Sequence, residues 1–161
     1  MTVEIRIAAT DEELIRCYPV MAELRPHLSQ EQFVSLARRL SDTTGLRIAY
    51  LLDAERIACV AGFRTSEWLA GGRYLEIEDL VTSATERSKG HGGLMFDWLV
   101  KFAAEAGCRQ VRLVSNVRRI DAHRFYERKG MKREAYYFSQ RYLGVAPLRI
   151  GAERVQRSWL K

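Results

Sequence analysis

"VTSATERSKGHGGLMFDWL", Val81 to Leu99, passes from a β-branched run through charged residues and three glycines into an amphipathic segment. From Leu94 onward the apolar positions Leu94, Met95, Trp98, Leu99, Phe102, Ala103 and Ala106 recur at helical spacing, with Gly107 where a C-terminal cap belongs. A helix start leaves its first amide N–H groups unpaired and carries partial positive charge. Glycines let a backbone approach an anion, and Arg87 and Lys89 add charge, so the turn suits a phosphate. The glycine spacing alone fits a plain strand-to-helix connection equally well. Neither G-x-x-x-x-G-K-[ST] nor G-x-G-x-x-G is present; the chain has R-x-x-G-x-G at Arg87, Gly90 and Gly92.

Upstream, Val3 to Ala8 alternates as a half-buried strand. Thr10 with Glu13, and Ser29 with Gln32, form capping boxes ahead of two short helices, the first of which Pro19 should kink or interrupt. Leu46 to Leu52, Arg56 to Thr65 and Arg73 to Thr82 read as three strands of an antiparallel meander, the first two joined by a hairpin. Downstream, "RQVRLVS" is a strand, "RIDAHRFYERKG" a helix closed by Gly130, and "KREAYYFSQRYL", 132–143, a further strand. The strand–helix–strand unit from Tyr74 to Ser115 implies a right-handed crossover and a parallel pair within a mainly antiparallel sheet.

The 161 residues, 47% hydrophobic and 29% charged, fit one domain with a buried core. No apolar run is long enough for a membrane span, and "MTVEIRIAATDEE" is unlike a signal peptide, so no membrane partner and a cytoplasmic location are expected. Cys17, Cys59 and Cys108 are spaced for neither disulfides nor zinc and read as reduced core thiols, and no metal site is expected. The net charge of +6 favours anionic partners without choosing among them.

Arg87-x-x-Gly90-x-Gly92 resembles the acetyl-CoA motif [R/Q]-x-x-G-x-[G/A] of the GCN5-related N-acetyltransferase (GNAT) superfamily, and "DAHRFYERKGM", Asp121 to Met131, resembles that family's A-x-x-F-Y-x-x-x-G-[F/M] signature. The resemblance spans Val3 to Leu143 and is closest from Leu75 to Met131. It implies an α/β fold: a mixed, mainly antiparallel sheet with a central splayed parallel pair and helices on both faces. A single N-acetyltransferase domain over 1–161 follows, its core about 3–143 and 144–161 a weakly assigned extension. The resemblance further implies acetyl-CoA as donor, with Ser88, Lys89, Gly90, His91, Gly92 and Gly93 at its pyrophosphate beside Arg87. Leu80, Val81 and Thr82 would lie along the pantetheine arm, and Arg119, Ala122 and Phe125 would be nearby. Arg119 stands where many relatives have asparagine, and Phe125 by its helical spacing from Ala122 is also a core residue. The rings of His91 and His123 are expected at the cofactor rim or in solvent.

Acyl transfer to an amine needs a neutral nucleophile, an oxyanion donor and a proton for the leaving thiolate. "YLEIEDL" supplies Glu76, Glu78 and Asp79. Strict alternation puts Glu76 and Glu78 on one face with Leu80, and Asp79 on the other. The resemblance implies Glu76 or Glu78 as base, Glu78 and Asp79 lining the acceptor site, and Tyr126 as the acid toward the thiolate. A backbone N–H within Leu80 to Thr82 would meet the oxyanion. The expected acceptor is a primary amine, on a small molecule or a protein lysine, attacking directly. A non-catalytic acyl-CoA-binding or sensor domain is the alternative. Nucleic acid is disfavoured because Phe125 and Tyr126 face the core, and a homodimer stays open.

Overall fold

The computed structural model describes residues 3–140. Strand β1 (Val3–Ile7) leads into helices α1 (Asp11–Leu24) and α2 (Gln30–Thr44). A meander follows of β2 (Arg47–Asp53), β3 (Arg56–Trp68) and β4 (Gly72–Thr82). A 3₁₀ turn at Ala84–Glu86 then precedes α3 (His91–Glu105), β5 (Gln110–Leu113) and α4 (Ile120–Arg128).

Both early helices start on complete capping boxes. Thr10 Oγ1 accepts from the Glu13 amide at 3.3 Å while Glu13 Oε2 accepts from the Thr10 amide at 3.1 Å. Ser29 and Gln32 exchange the same pair of bonds at 3.2 and 2.9 Å. Pro19 does not interrupt α1, contrary to the expectation from its ring; the helix runs unbroken from Asp11 to Leu24. The proline blocks the bond its own N–H would have made and leaves the rest of the ladder in place.

The sheet has the order β1-β2-β3-β4-β5, antiparallel throughout except for the parallel β4–β5 pair that α3 connects. Side chains alternate between two cores. Ile48, Tyr50, Leu52, Val60 and Val81 pack under α1 and α2 with Leu14, Cys17, Met21 and Phe33. Ala49, Leu51, Cys59, Ala61, Phe63, Leu75 and Ile77 pack under α3 with Met95, Phe96 and Leu99. Helices therefore cover both faces, which is why β2 and β3 carry nearly continuous apolar runs.

The strand expected at 132–143 does not form over 132–140, and 141–143 lie outside the described residues. Tyr136, Tyr137 and Phe138 are exposed. Strand propensity reflects packing on a pleated surface, and here the aromatics have none.

Candidate active site

The centre of β4 departs from strict alternation. Phe63 pairs with Ile77 and Gly62 with Asp79, so Glu78 is an extra residue without a partner of its own, a β-bulge. Beyond the bulge the phase reverses: Leu75, Ile77 and Leu80 all pack with the α3 core, whereas Val81 joins the α1 core. Leu80 therefore does not share a face with Glu76, contrary to the alternation argument, because one inserted residue shifts a period of two by half.

The acids separate accordingly. Glu76, whose side chain is 15% exposed, accepts from Arg112 Nη2 at 2.9 Å and lies 4.0 Å from Arg64 Nη2. Arg112 in turn stacks over the Tyr74 ring, 3.7 Å from its centroid. Glu76 is thus held between guanidinium groups from β3 and β5. Glu78 accepts from Arg64 Nε and lines a cavity. Asp79 Oδ1 accepts from Arg25 Nε at 2.7 Å, just beyond the end of α1. A Cβ on Gly62 would stand 2.9 Å from Asp79 Oδ2, so a larger residue there would push that carboxylate aside.

Ladder pairing between β4 and β5 ends at Ile77 and Leu113, while β4 continues to Thr82. A cavity of about 300 Å³ occupies this divergence, and its polar lining is Arg25, Glu78, Ser115, Asn116, Arg119 and Tyr126. Tyr126 packs its ring against Phe96 and Phe125. Burial pushes its phenol above the ordinary value, against a downward pull from Arg119, so the hydroxyl keeps its proton at neutral pH. Ser115 Oγ is buried with no hydrogen-bond partner among the described residues.

Beyond Thr82 the chain turns into α3. Ser88 and Gly90 have φ of +63° and +87°, and no side chain caps the helix. A Cβ on Gly92 would lie 3.0 Å from Thr82 Oγ1, so this glycine lets the helix start close against β4. The His91 ring does not reach the rim or solvent as expected. It is 4% exposed, with Nε2 at 3.1 Å from Asp53 Oδ2 and Nδ1 at 3.3 Å from the Glu86 carbonyl. The cause is the first turn of α3, which aims this side chain back at the β2–β3 hairpin. Potential ligand atoms of Asp53, Glu86 and His91 lie within 4.8 Å of one another, but Lys89 Nζ takes Glu86 at 2.7 Å and Asp53 takes the ring. The cluster pins the loop to the sheet. Arg87 is largely exposed, 3.6 Å from Glu23.

On α4, Phe125 stacks edge-on against Phe96, Ala122 is half-buried, and Arg119 is the N-terminal cap residue facing the cavity. His123 Nε2 lies 2.9 Å from the Asn116 carbonyl and its Nδ1 is buried with no partner among the described residues, so the ring nitrogens do not face solvent, one of the two places expected for them. Cys17 and Cys59 are fully buried, which pushes their thiols up to about 12 and about 11 and makes them poor nucleophiles. Arg25 and Ser115, both in the cavity lining, carry no local sequence signal; their place depends on strands far away in the chain.

The sequence profile of the acetyltransferase (GNAT) family matches residues 7–131. This chain belongs to that family. The GNAT chain is 32% identical over 137 residues to the uncharacterized N-acetyltransferase YhdJ of Bacillus subtilis strain 168, covering 84% of this chain and 96% of that protein. A shorter match, 35% over 65 residues, covers 40% of this chain and 42% of the aminoalkylphosphonate N-acetyltransferase of Salmonella typhimurium LT2. Among solved structures, the aminoglycoside N-acetyltransferase AAC(6')-Iy in complex with CoA superposes with a TM-score of 0.77 at 11% identity, over 88% of this chain and 95% of that one, a likeness of fold. The protein is an acyltransferase of GNAT architecture. Among the described residues no helix is long and apolar enough to cross a membrane.

Proposed function

We propose that this GNAT protein transfers an acetyl group from acetyl-CoA to a primary amine by direct attack, in the cavity between β4 and β5. The observation that carries the reading is the position of Tyr126 and Glu78 on one cavity at the point where these strands part, with the uncapped glycine-rich start of α3 packed against the end of β4. The family relation and the N-acetyltransferase names of the relatives support it.

The residues present fit the donor. The amides of Ser88 to Gly93 surround a turn with two positive-φ residues and no side-chain cap, which suits a pyrophosphate. Past Ile77 the edge of β4 toward β5 is unpaired, so Leu80, Val81 and Thr82 offer backbone groups to the amides of a pantetheine arm. When bound, acetyl-CoA supplies an activated thioester whose C–S bond is exchanged for a C–N bond to the amine.

An alkylammonium of pKa about 10.4 must first lose a proton. Of Glu76, Glu78 and Asp79, only Glu78 lines the cavity; Arg64 Nε bonds its Oε1, and its other oxygen takes that proton, directly or through water. A backbone N–H within Leu80 to Thr82 meets the developing oxyanion. Tyr126 holds its proton at neutral pH and donates it to the departing sulfur.

The test is thiol release from acetyl-CoA with a panel of amines. Amine-dependent release well above buffer, with N-acetylated product by mass, is expected. Saturable acetyl-CoA binding without release on any amine class would establish the non-catalytic binding reading instead.

A further inference from the structure

Arg25 enters the cavity with its binding capacity only partly used. Its Nε donates to Asp79 Oδ1 at 2.7 Å, and among the described residues its terminal nitrogens meet no acceptor. The anchor is built in layers. Gly62 leaves space for Asp79, the bulge at Glu78 turns Asp79 toward α1, and Asp79, 16% exposed, fixes the guanidinium. Pro26 follows and helps to end α1, which leaves Arg25 at the helix end rather than within it. A guanidinium held through Nε presents its two terminal nitrogens as a fork suited to a carboxylate or a phosphoryl group.

The charges around the cavity point the same way. Glu78 is paired with Arg64, and Arg119 also lines the cavity with no ion-pair partner among the described residues. Ser115 Oγ adds a buried hydroxyl without a partner. A pantetheine arm and a thioester carry no charge, so the donor gives Arg25 nothing to pair with. An acceptor bearing only an ammonium group would leave the terminal nitrogens of Arg25, and Arg119, without an acceptor.

We infer that the acceptor of this site is a small amine that also carries an anionic group, a carboxylate, phosphate or phosphonate, with the terminal nitrogens of Arg25 receiving the anion and Glu78 facing the amine. The inference rests on acyl transfer to an amine in this cavity. A volume of about 300 Å³, at the small end for ligand sites, suits such a molecule.

The experiment compares kcat/KM for acceptors matched in length: 3-aminopropylphosphonate, 4-aminobutanoate, phosphoethanolamine and n-butylamine, with wild type, Arg25→Gln and Arg25→Lys. In wild type at least one anion-bearing amine should exceed butylamine about tenfold or more, as a charge-assisted hydrogen bond allows. The ranking of phosphonate, phosphate and carboxylate identifies the anion. Arg25→Gln should abolish the preference, chiefly through KM, and Arg25→Lys should restore part of it. Equal or better use of butylamine by wild type, or an unchanged preference in a folded Arg25→Gln, overturns the inference and leaves acyl transfer standing. Failure of every amine, butylamine included, overturns both.

Discussion

Helices α1 and α3 begin in opposite ways. At α1 the Thr10 hydroxyl and the Glu13 carboxylate satisfy backbone N–H groups within the protein, and α2 repeats the arrangement with Ser29 and Gln32. At α3 the cap position is Gly90 in the left-handed region, no side chain hydrogen-bonds to cap the helix, and the first turn holds no acid. A helix start closed by its own side chains favours stability; one left open reserves its amides and partial charge for a ligand. The two kinds share one chain and one sheet, so each serves as control for the other.

The largest effect should come from giving α3 an acid of its own. Gly93→Asp places a carboxylate in the first turn, with Lys129 Nζ near the new Cβ, so the helix itself should tolerate it. Against a pyrophosphate about 4 Å away the same charge costs about 4 kcal/mol at intermediate polarity, roughly a thousandfold in affinity. Acetyl-CoA titration by calorimetry, beside a melting curve, should show lost binding with an undiminished Tm. Tight binding by this variant would end the distinction between the two kinds of helix start.

Next is Tyr126→Phe, which removes the proton donor beyond the open helix start and leaves the amides in place. About a hundredfold loss in kcat is expected with acetyl-CoA affinity nearly intact. An unchanged rate removes Tyr126 from the mechanism.

Thr10→Ala or Ser29→Ala should do the converse, lowering stability by about 1 kcal/mol in urea unfolding while kcat/KM holds. The smallest effect concerns acid. Bonds from the Tyr50 hydroxyl, then from the amides of Ala9 and Thr10, hold Glu13 below the usual carboxylate range. A depressed carboxylate contributes stability above its unfolded value and loses it as pH falls through the folded one. Glu13→Gln should therefore flatten the acid limb of a stability–pH profile, which the open start of α3, without an acid, does not shape.

What could be read from the sequence follows the range of the forces involved. Both capping boxes and the glycine turn are written within a few neighbouring residues, so their place was visible, as were the strand–helix–strand crossover and the two signature motifs. The phase of β4 was not, because the bulge is defined against Gly62 on another strand. Neither was the position of Arg25, which depends on Asp79, nor the burial of the His91 ring against Asp53. The aromatic run at 132–140 has strand composition but no packed surface to express it, so composition alone misled there.

The bulge at Glu78 carries a consequence for how this site can change. Deleting that one residue would leave Ile77 opposite Phe63 and Asp79 opposite Gly62 as consecutive pairs, so Asp79 would keep its place beside Arg25 and Leu80 its place under α3. The bulge is therefore an insert: it adds a carboxylate to the cavity wall without moving any neighbour to another face. A change of one residue in length can add or remove that carboxylate while the packing on both sides of β4 stays as it is.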